Sequence, residues 1–226
     1  MIGYLILNKN PTCEIIRTSI LLRPEFYVAR KWTCSNRKVI FSTATMITPL
    51  KGLHLLLKAL SIIKNIIPDV ELRLAGSIQV GIRRGGYSKF IFSLVKKYNL
   101  EQNVVFLGEL DTDELISEYQ NAAVFVNPSY VESYSLVVAE AMFIGIPVVA
   151  SYVGGMTELG EDKKSILYFP KDDHVACAHR ILQLLTDANL SNNISSASIH
   201  LALNRNSLSY ASDRQMQIYN SVILRS

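Results

Sequence analysis

Apolar positions follow two alternating kinds of spacing from residue 39 onward. Short runs rich in valine, isoleucine and phenylalanine are separated by stretches whose apolar residues recur every three or four positions. The first spacing is typical of buried strands and the second of amphipathic helices. We predict strands at 39–44, 70–76, 104–108, 123–127, 147–150 and 165–169. This alternation indicates a Rossmann-like α/β fold, a parallel sheet of about six strands with helices on both faces.

The helical stretches carry recognisable start and stop signals. The clearest is "GLHLLLKALSIIKNIIPD", in which the leucines and isoleucines form one apolar face and Pro68 closes the segment. A second helix starts after Asp111, which is spaced from Glu114 as a capping box. A third starts at about Ser135 and ends at Gly145. Two more are predicted at about 172–187 and 207–222, and the polar segment "SNNISSASIH" between them is interpreted as a loop.

Residues 1–38 do not follow this alternation. They contain Pro11, Pro24 and only short apolar pieces. We interpret them as a linker or as the remnant of a further domain, and residues 39–226 as one domain that ends in helices.

Composition and charge exclude several classes of protein. The formal net charge is +4, but the basic residues are scattered rather than clustered, so nucleic-acid binding is not indicated. Cys13, Cys34 and Cys177 lie far apart without metal-ligand spacing, which argues against a disulfide framework and a zinc site. Charged residues interrupt every long apolar run, so we predict no transmembrane segment. These features favour a cytoplasmic protein.

The segment "VESYSLVVAEAM" carries two acids, Glu132 and Glu140, in a largely apolar context. It follows a predicted strand, and ligands of open parallel sheets bind outside the carboxyl ends of strands. The helix start exposes N–H groups near Ser135 and Leu136 that suit a phosphate, and Glu132 would reach beyond that phosphate. Glu140 lies inside the helix, where a carboxylate needs partners such as the two hydroxyls of a ribose. Taken singly, Glu132 could equally be a solvated loop acid, and Glu140 could pair with a nearby cation.

A second candidate anion site follows the first predicted strand, where Lys51 and Gly52 begin a helix. A lysine there could neutralise a diphosphate and lower the energy of a departing nucleoside diphosphate. The alternative is a solvated lysine in the first turn.

These motifs together resemble a known family. "PLKGLHLLLKAL", "VVFLGEL", "VESYSLVVAEAM", "GIPVVAS" and "VGGMTEL" are similar, in order and spacing, to the C-terminal domain of retaining family-4 glycosyltransferases of the GT-B fold. The resemblance covers about residues 39–222 and is specific only as a set. "TATMITPLKGLH" and "RRGGYSKF" are similar to members that build bacterial surface polysaccharides.

The resemblance implies a role for each candidate residue. Lys51 would meet the donor diphosphate, and the amides of Ser135 and Leu136 its distal phosphate. Glu132 would bind the donor sugar and Glu140 the ribose.

Two further groups of residues receive their roles from the same resemblance. The strand end at Gly108, Glu109 and Leu110 would border the base. Gly154 and Gly155 would allow a tight turn near the site, or form an ordinary loop.

This sequence also departs from the family pattern. Met46 stands where the family usually has an arginine, so Arg83 or Arg84 would have to complete the cationic clamp. Ser135 replaces a glycine, and Tyr134 takes the aromatic position. The acceptor-binding half of a GT-B enzyme is not recognisable in the sequence.

Two other motifs could suggest a metal site or a dinucleotide-binding turn, but neither is supported. "DTD" matches the metal-binding DxD of a different glycosyltransferase fold, but its first aspartate already serves the predicted capping box, so we predict no metal site. The glycines at 81, 85 and 86 lack the spacing of a dinucleotide-binding turn.

The sequence therefore supports two hypotheses. The first is a hexosyltransferase-type domain that takes a UDP-, GDP- or ADP-sugar as donor and a glycan or lipid-linked molecule as acceptor, without a cofactor. The second is a non-catalytic nucleotide-sugar-binding module. A separate N-terminal acceptor domain would be the partner in the first case, and a peripheral position at the inner membrane face would suit a lipid-linked acceptor.

Overall fold

The computed structural model describes residues 9–12, 20–46, 48–77 and 86–223. Residues Leu22–Ala202 form one compact unit, which contains the whole sheet. The described residues before Leu22 and those from Leu203 onward belong to a second unit. Within that unit, the Asn206 side-chain amide donates a hydrogen bond to the carbonyl of Ile20 at 2.8 Å. All that follows on the site concerns the first unit.

The sheet has six strands, all parallel, in the order β3-β2-β1-β4-β5-β6. The strands are β1 (Val39–Met46), β2 (Glu71–Ser77), β3 (Val104–Gly108), β4 (Val124–Asn127), β5 (Val148–Ser151) and β6 (Leu167–Phe169). Each predicted strand is confirmed, and so is the Rossmann-like α/β class.

Helices of the unit Leu22–Ala202 cover both faces of this sheet. The helices of the described residues are α1 (Pro24–Val28), α2 (Leu53–Lys64), α3 (Gly86–Lys97), α4 (Thr112–Asn121), α5 (Leu136–Ile144), α6 (His174–Thr186), α7 (Ala188–Asn206) and α8 (Leu208–Ile223), of which α8 belongs to the second unit. The capping box at α4 is confirmed, because Asp111 accepts from the Glu114 amide and Glu114 accepts from the Asp111 amide, both at 2.9 Å. Gly145 ends α5 in the left-handed conformation, as predicted.

The prediction of a loop at "SNNISSASIH" is wrong, because this segment lies inside α7. Asn192, Asn193 and Ser196 are exposed, but Ser191, Ser195 and Ser198 are buried, and two of the buried hydroxyls donate to backbone carbonyls. Ser191 donates to the carbonyl of Leu184 at 2.8 Å, and Ser198 to that of Met142 at 3.1 Å. Tertiary packing has overridden the low helix propensity of serine and asparagine.

Neighbouring residues of one strand point into different cores. Ile40 belongs to the cluster under α2, α3 and α6, whereas Phe41 belongs to the cluster under α1, α4 and α5. Both side chains are fully buried. The sheet is therefore the middle layer of three, and its strands are apolar on both faces, as expected for a buried parallel sheet.

The segment from Leu22 to Lys38 packs on the second of these cores. Phe26 is fully buried, and Trp32 donates from its indole N–H to the carbonyl of Ala122 at 2.7 Å. The Trp32 backbone N–H donates to the carbonyl of Ile144 at 2.8 Å. This part of the N-terminal segment is thus bonded to α4 and α5.

The strand order reverses at β1. β1 pairs with β2 on one side and with β4 on the other, so successive connections leave the sheet in opposite directions. Such a switch point opens a crevice outside the carboxyl ends of the two adjacent strands. We call the segment of residues 48–52, which follows β1, the lysine loop, and residues 128–135, which follow β4, the glutamate loop.

The two loops are fitted closely against each other. Gly52 has a positive φ of 67°, and a Cβ placed on it would lie 1.9 Å from the carbonyl oxygen of Pro128. The N–H of Tyr130 donates to the carbonyl of Leu50 at 2.7 Å. The crevice is therefore held by backbone contacts that only a glycine at position 52 permits.

We predict that Gly52→Ala destabilises the fold by at least about 1–3 kcal/mol, because it adds both a steric overlap and an unfavourable φ. Gly86→Ala is the control, since its added Cβ meets no atom of the described residues within 4 Å and it starts a helix. Urea denaturation of both variants measures the effect. Equal midpoints for Gly52→Ala and the parent would contradict the prediction.

Candidate functional site

An ion pair spans the crevice between the two loops. Lys51 Nζ lies 2.8 Å from Glu132 Oε1, and the Ser129 hydroxyl donates to the same oxygen at 2.9 Å. The Glu132 side chain is 12% exposed and that of Lys51 is 34% exposed. The carboxylate is thus fixed by two donors, while the ammonium keeps access to solvent.

A cavity of about 180 Å³ opens beside this pair. Its lining residues come from the carboxyl ends of β1 and β4 and from the start of α5: Thr43, Lys51, Asn127, Ser129, Glu132, Ser135, Leu136 and Val137. Four of the residues predicted from sequence are therefore brought together here. Thr43, Asn127 and Ser129 were not predicted from the sequence, although Asn127 ends the apolar strand β4 and Ser129 follows it closely.

Ser135 precedes α5 in a left-handed conformation, with φ 74°. Its hydroxyl does not cap the helix but accepts a hydrogen bond from the Asn127 side-chain amide at 2.9 Å. The amides of the first turn therefore have no side-chain cap from Ser135, and Leu136 and Val137 of this turn line the cavity. A helix start of this kind carries a partial positive charge that favours anions.

Gly154 and Gly155 pack against the backbone of the glutamate loop. The Gly155 N–H donates to the carbonyl of Glu132 at 3.1 Å. A Cβ on Gly154 would lie 1.9 Å from that carbonyl oxygen, and one on Gly155 would lie 1.8 Å from the carbonyl oxygen of Ser133. Neither glycine is among the residues that line the cavity, so their contribution is to let two backbone segments approach.

Glu140 lies in the middle of α5 and is not among the described residues that line that cavity. Its carboxylate is paired with Arg23, whose Nε and Nη2 both donate to Oε1, at 3.1 and 3.0 Å. Oε2 is buried and has no hydrogen-bond partner among the described residues. Burial raises the pKa of the Glu140 carboxyl, and the positive charge of Arg23 opposes that shift.

The end of β3 lies two strands from β1 in the sheet. Gly108 has a positive φ of 79°, Glu109 is exposed, and Leu110 packs against the core under α5. None of the three lines the cavity beside Lys51. Met46 ends β1, and the predicted substitute cations at positions 83 and 84 lie outside the described residues.

His54, in the first turn of α2, links α3 to the glutamate loop. Its backbone N–H donates to the Tyr87 hydroxyl at 3.3 Å, and its ring nitrogens lie 2.8 Å from the Tyr87 hydroxyl and 3.1 Å from that of Tyr130. The Tyr130 hydroxyl donates in turn to Asp172. Burial, with the nearby charge of Lys58, lowers the pKa of His54. A neutral histidine thus helps to hold Tyr130, two residues from Glu132.

Neither a metal-binding cluster nor a membrane-spanning helix is present among the described residues. No three or more of their histidine, cysteine, aspartate or glutamate side chains converge as a metal site would require. Among the described helices, none has the length and apolar character needed to cross a membrane.

Comparison with known proteins links this geometry to a family. The model of the family described as glycosyl transferases group 1 matches residues 29–200. The chain is 36% identical over 141 residues to the D-inositol 3-phosphate glycosyltransferase of Corynebacterium urealyticum. That alignment covers 61% of this chain and 32% of the relative, so the chain spans about a third of its length.

Solved structures share the fold. The Anabaena protein Alr3699/HepE, crystallised with UDP-glucose, superposes with a TM-score of 0.72 at 24% identity, over 82% of this chain and 49% of that one. The C-terminal domain of LpcC, a glycosyl transferase group 1 family protein of Francisella tularensis, superposes with a TM-score of 0.67 at 19% identity. That match covers 84% of this chain and 96% of the Francisella domain.

The parallel sheet, the crevice at its switch point and the family match over most of the chain agree with one another. The chain belongs to the glycosyl transferases group 1 family, and it has the architecture of the C-terminal domain of a GT-B glycosyltransferase.

Proposed function

We propose that this chain is the donor-binding half of a retaining family-4 glycosyltransferase. It would bind a nucleoside-diphosphate sugar and present it for hexosyl transfer to a glycan or lipid-linked acceptor in surface-polysaccharide synthesis. The observation that carries the proposal is the convergence of Lys51, Glu132 and the start of α5 on one cavity. UDP-glucose in the Anabaena neighbour supports the class of donor.

The diphosphate would lie between Lys51 and the first turn of α5. Lysine supplies a point charge, and the unpaired amides near Leu136 and Val137 supply fixed donors, so two kinds of positive potential meet at one place. The same groups would stabilise the negative charge that develops on the diphosphate as the sugar departs. This arrangement needs no divalent cation.

Glu132 would bind the donor sugar. Lys51 and Ser129 both donate to Oε1, so Oε2 takes neither of these two hydrogen bonds and could accept from a sugar hydroxyl. A hydrogen bond to an ionised acceptor is stronger than one between neutral groups. Because Gly154 and Gly155 support the Glu132 backbone, the carboxylate would be in place before the donor arrives.

The nucleoside would extend along α5 toward the end of β3. Glu140 offers a buried acceptor oxygen for the ribose, and Gly108, Glu109 and Leu110 would border the base. Gly154 and Gly155 would act through the glutamate loop rather than by touching the donor.

A non-catalytic nucleotide-sugar-binding module is the second candidate. One observation favours it: every residue that lines the cavity lies in the compact unit Leu22–Ala202, so donor binding requires no other domain. Transfer needs an acceptor held against the donor, and orientation of that kind accounts for roughly 7–11 kcal/mol of barrier lowering. Donor turnover by the chain alone and with an acceptor-domain polypeptide separates the two candidates.

We predict that the 226-residue chain binds UDP, GDP or ADP in the presence of EDTA, and that Lys51→Met weakens this binding by about tenfold or more. The expected loss follows from removing the one cationic side chain among the described residues that line the cavity. Isothermal titration calorimetry measures both effects. Lys96→Met is the control, because this exposed lysine lies in the last turn of α3.

Binding that appears only with magnesium or manganese would contradict the metal-free proposal. Equal losses in Lys51→Met and Lys96→Met would show that general charge, and not the cavity, governs affinity.

We predict that Glu132→Gln changes the affinity for a free nucleoside diphosphate in the opposite direction to Lys51→Met. This variant removes the anion that now pairs with Lys51 and that would repel a diphosphate, so free nucleoside diphosphate should bind severalfold tighter. Affinity for the nucleotide sugar should fall relative to the free nucleotide, since the sugar loses its charged partner. Calorimetry with UDP and UDP-glucose tests both statements, and weaker binding of UDP to Glu132→Gln would be the contrary result.

A further inference from the structure

We propose that Arg23 is a positioning residue of the nucleoside subsite: it holds one oxygen of Glu140 and leaves the other facing a vicinal diol. This inference rests on the proposed nucleotide binding. It assigns a role to a residue outside the family motifs, 117 positions away from its partner in the chain.

The hydrogen bonds of the pair are asymmetric. Arginine often grips a carboxylate with two parallel bonds, one to each oxygen. Here both donors, Nε and Nη2, reach Oε1 at 3.1 and 3.0 Å. The Glu140 side chain is only 5% exposed, and its Oε2 has no partner among the described residues. A buried acceptor without a donor is costly, which points to a donor supplied by a ligand.

Arg23 is itself held in place. Its Nη1 donates to the Thr112 hydroxyl at 3.0 Å, and its guanidinium carbon lies 5.1 Å from the centre of the Phe26 ring. Thr112 is the first residue of α4 and follows closely on the end of β3. Arg23 therefore bridges the two places, Glu140 and the β3 end, between which the nucleoside is proposed to lie.

The charges around Glu140 affect the pKa of its carboxyl. Burial raises the pKa of the Glu140 carboxyl, and Arg23 counteracts this. The other charged or titratable groups on the described elements around α5 include Lys31 beside the Phe143 carbonyl, Glu25 and Tyr27 of α1, and Asp111, Asp113, Glu114, Glu118 and Tyr119 at or in α4. Burial and the Glu140 charge both raise the pKa of Tyr119, so it is neutral. Arg23 is thus the cation in hydrogen-bond contact with the carboxylate.

The sign of the pH effect follows from these charges. An ionised carboxylate accepts from both hydroxyls of a diol, so diol recognition is present above the pKa of Glu140 and is lost as the pH falls through it. Removing Arg23 leaves burial unopposed and raises that pKa further. The loss of recognition should then move to higher pH.

The test compares a nucleoside diphosphate with its 2′-deoxy analogue. UDP, GDP and ADP are first titrated into the parent chain by calorimetry, and the tightest is paired with its 2′-deoxy form over a range of pH. The parent should prefer the ribose form by about tenfold at neutral pH, the loss expected for one hydrogen bond to a charged group. Arg23→Ala should reduce this preference toward one and shift its midpoint to higher pH.

Three further variants keep the test decisive. Arg23→Lys retains the charge and should return the pH midpoint toward that of the parent. Glu140→Gln, with Arg23 intact, should abolish the preference. Arg37→Ala removes an arginine of the same segment that bonds the neutral Asn121 side chain, and should leave the preference unchanged. Circular dichroism establishes that each variant is folded.

The results separate this inference from the function on which it rests. If no nucleotide binds the parent chain, the proposed donor site is wrong, and the role of Arg23 with it. If a nucleotide binds but Arg23→Ala weakens the ribose and deoxyribose forms equally, without a shift in pH dependence, Arg23 is only structural and the inference is overturned. Retention of the preference in Glu140→Gln would overturn it as well.

Discussion

The hydrogen bond from the Tyr130 N–H to the Leu50 carbonyl joins the two loops on which the candidate site depends. It connects segments that follow different strands, on either side of the point where the strand order reverses. Gly52, seated against the Pro128 carbonyl, sets the same distance by steric contact. These are backbone interactions, so the spacing between Lys51 and Glu132 does not depend on the long side chains that cross the gap.

Two ion pairs that differ in their exposure to solvent lie near α5. Lys51 and Glu132 meet at the mouth of the crevice, where the lysine is partly exposed and an anionic ligand could exchange for its partner. Glu140 is buried, and its pairing with Arg23 offsets the cost of holding a charge there. In the proposed donor complex, the first pair would contact the diphosphate and sugar, and the second would contact the nucleoside. A short helix would then separate a part of the site built on charge from a part built on a buried hydrogen-bond acceptor.

Much of the fold could be predicted because buried parallel strands are continuous apolar runs. β4 and β5 consist almost entirely of such residues, and the capping box at α4 is local in sequence. α7 was not predicted, because two of its buried serines are satisfied by carbonyls of other helices. Neither propensity nor periodicity reports such contacts.

Some residues of the candidate site could be predicted from the sequence and others could not. Lys51 and Glu132 follow strands and belong to recognisable motifs, whereas Asn127 and Ser129 are ordinary polar residues whose roles depend on Ser135 and Glu132. Arg23 could not be predicted as the partner of Glu140, since no local pattern encodes a contact between residues so far apart in the chain.

The central claim is that a nucleoside diphosphate binds where the lysine loop meets the start of α5. A ¹H–¹⁵N spectrum of the full chain, titrated with UDP in the presence of EDTA, tests this claim directly. We expect the largest shift changes at the amides of Lys51, Leu136 and Val137. Changes confined to another surface, such as the cleft lined by Tyr152 and Leu201, with these three amides unmoved, would contradict it.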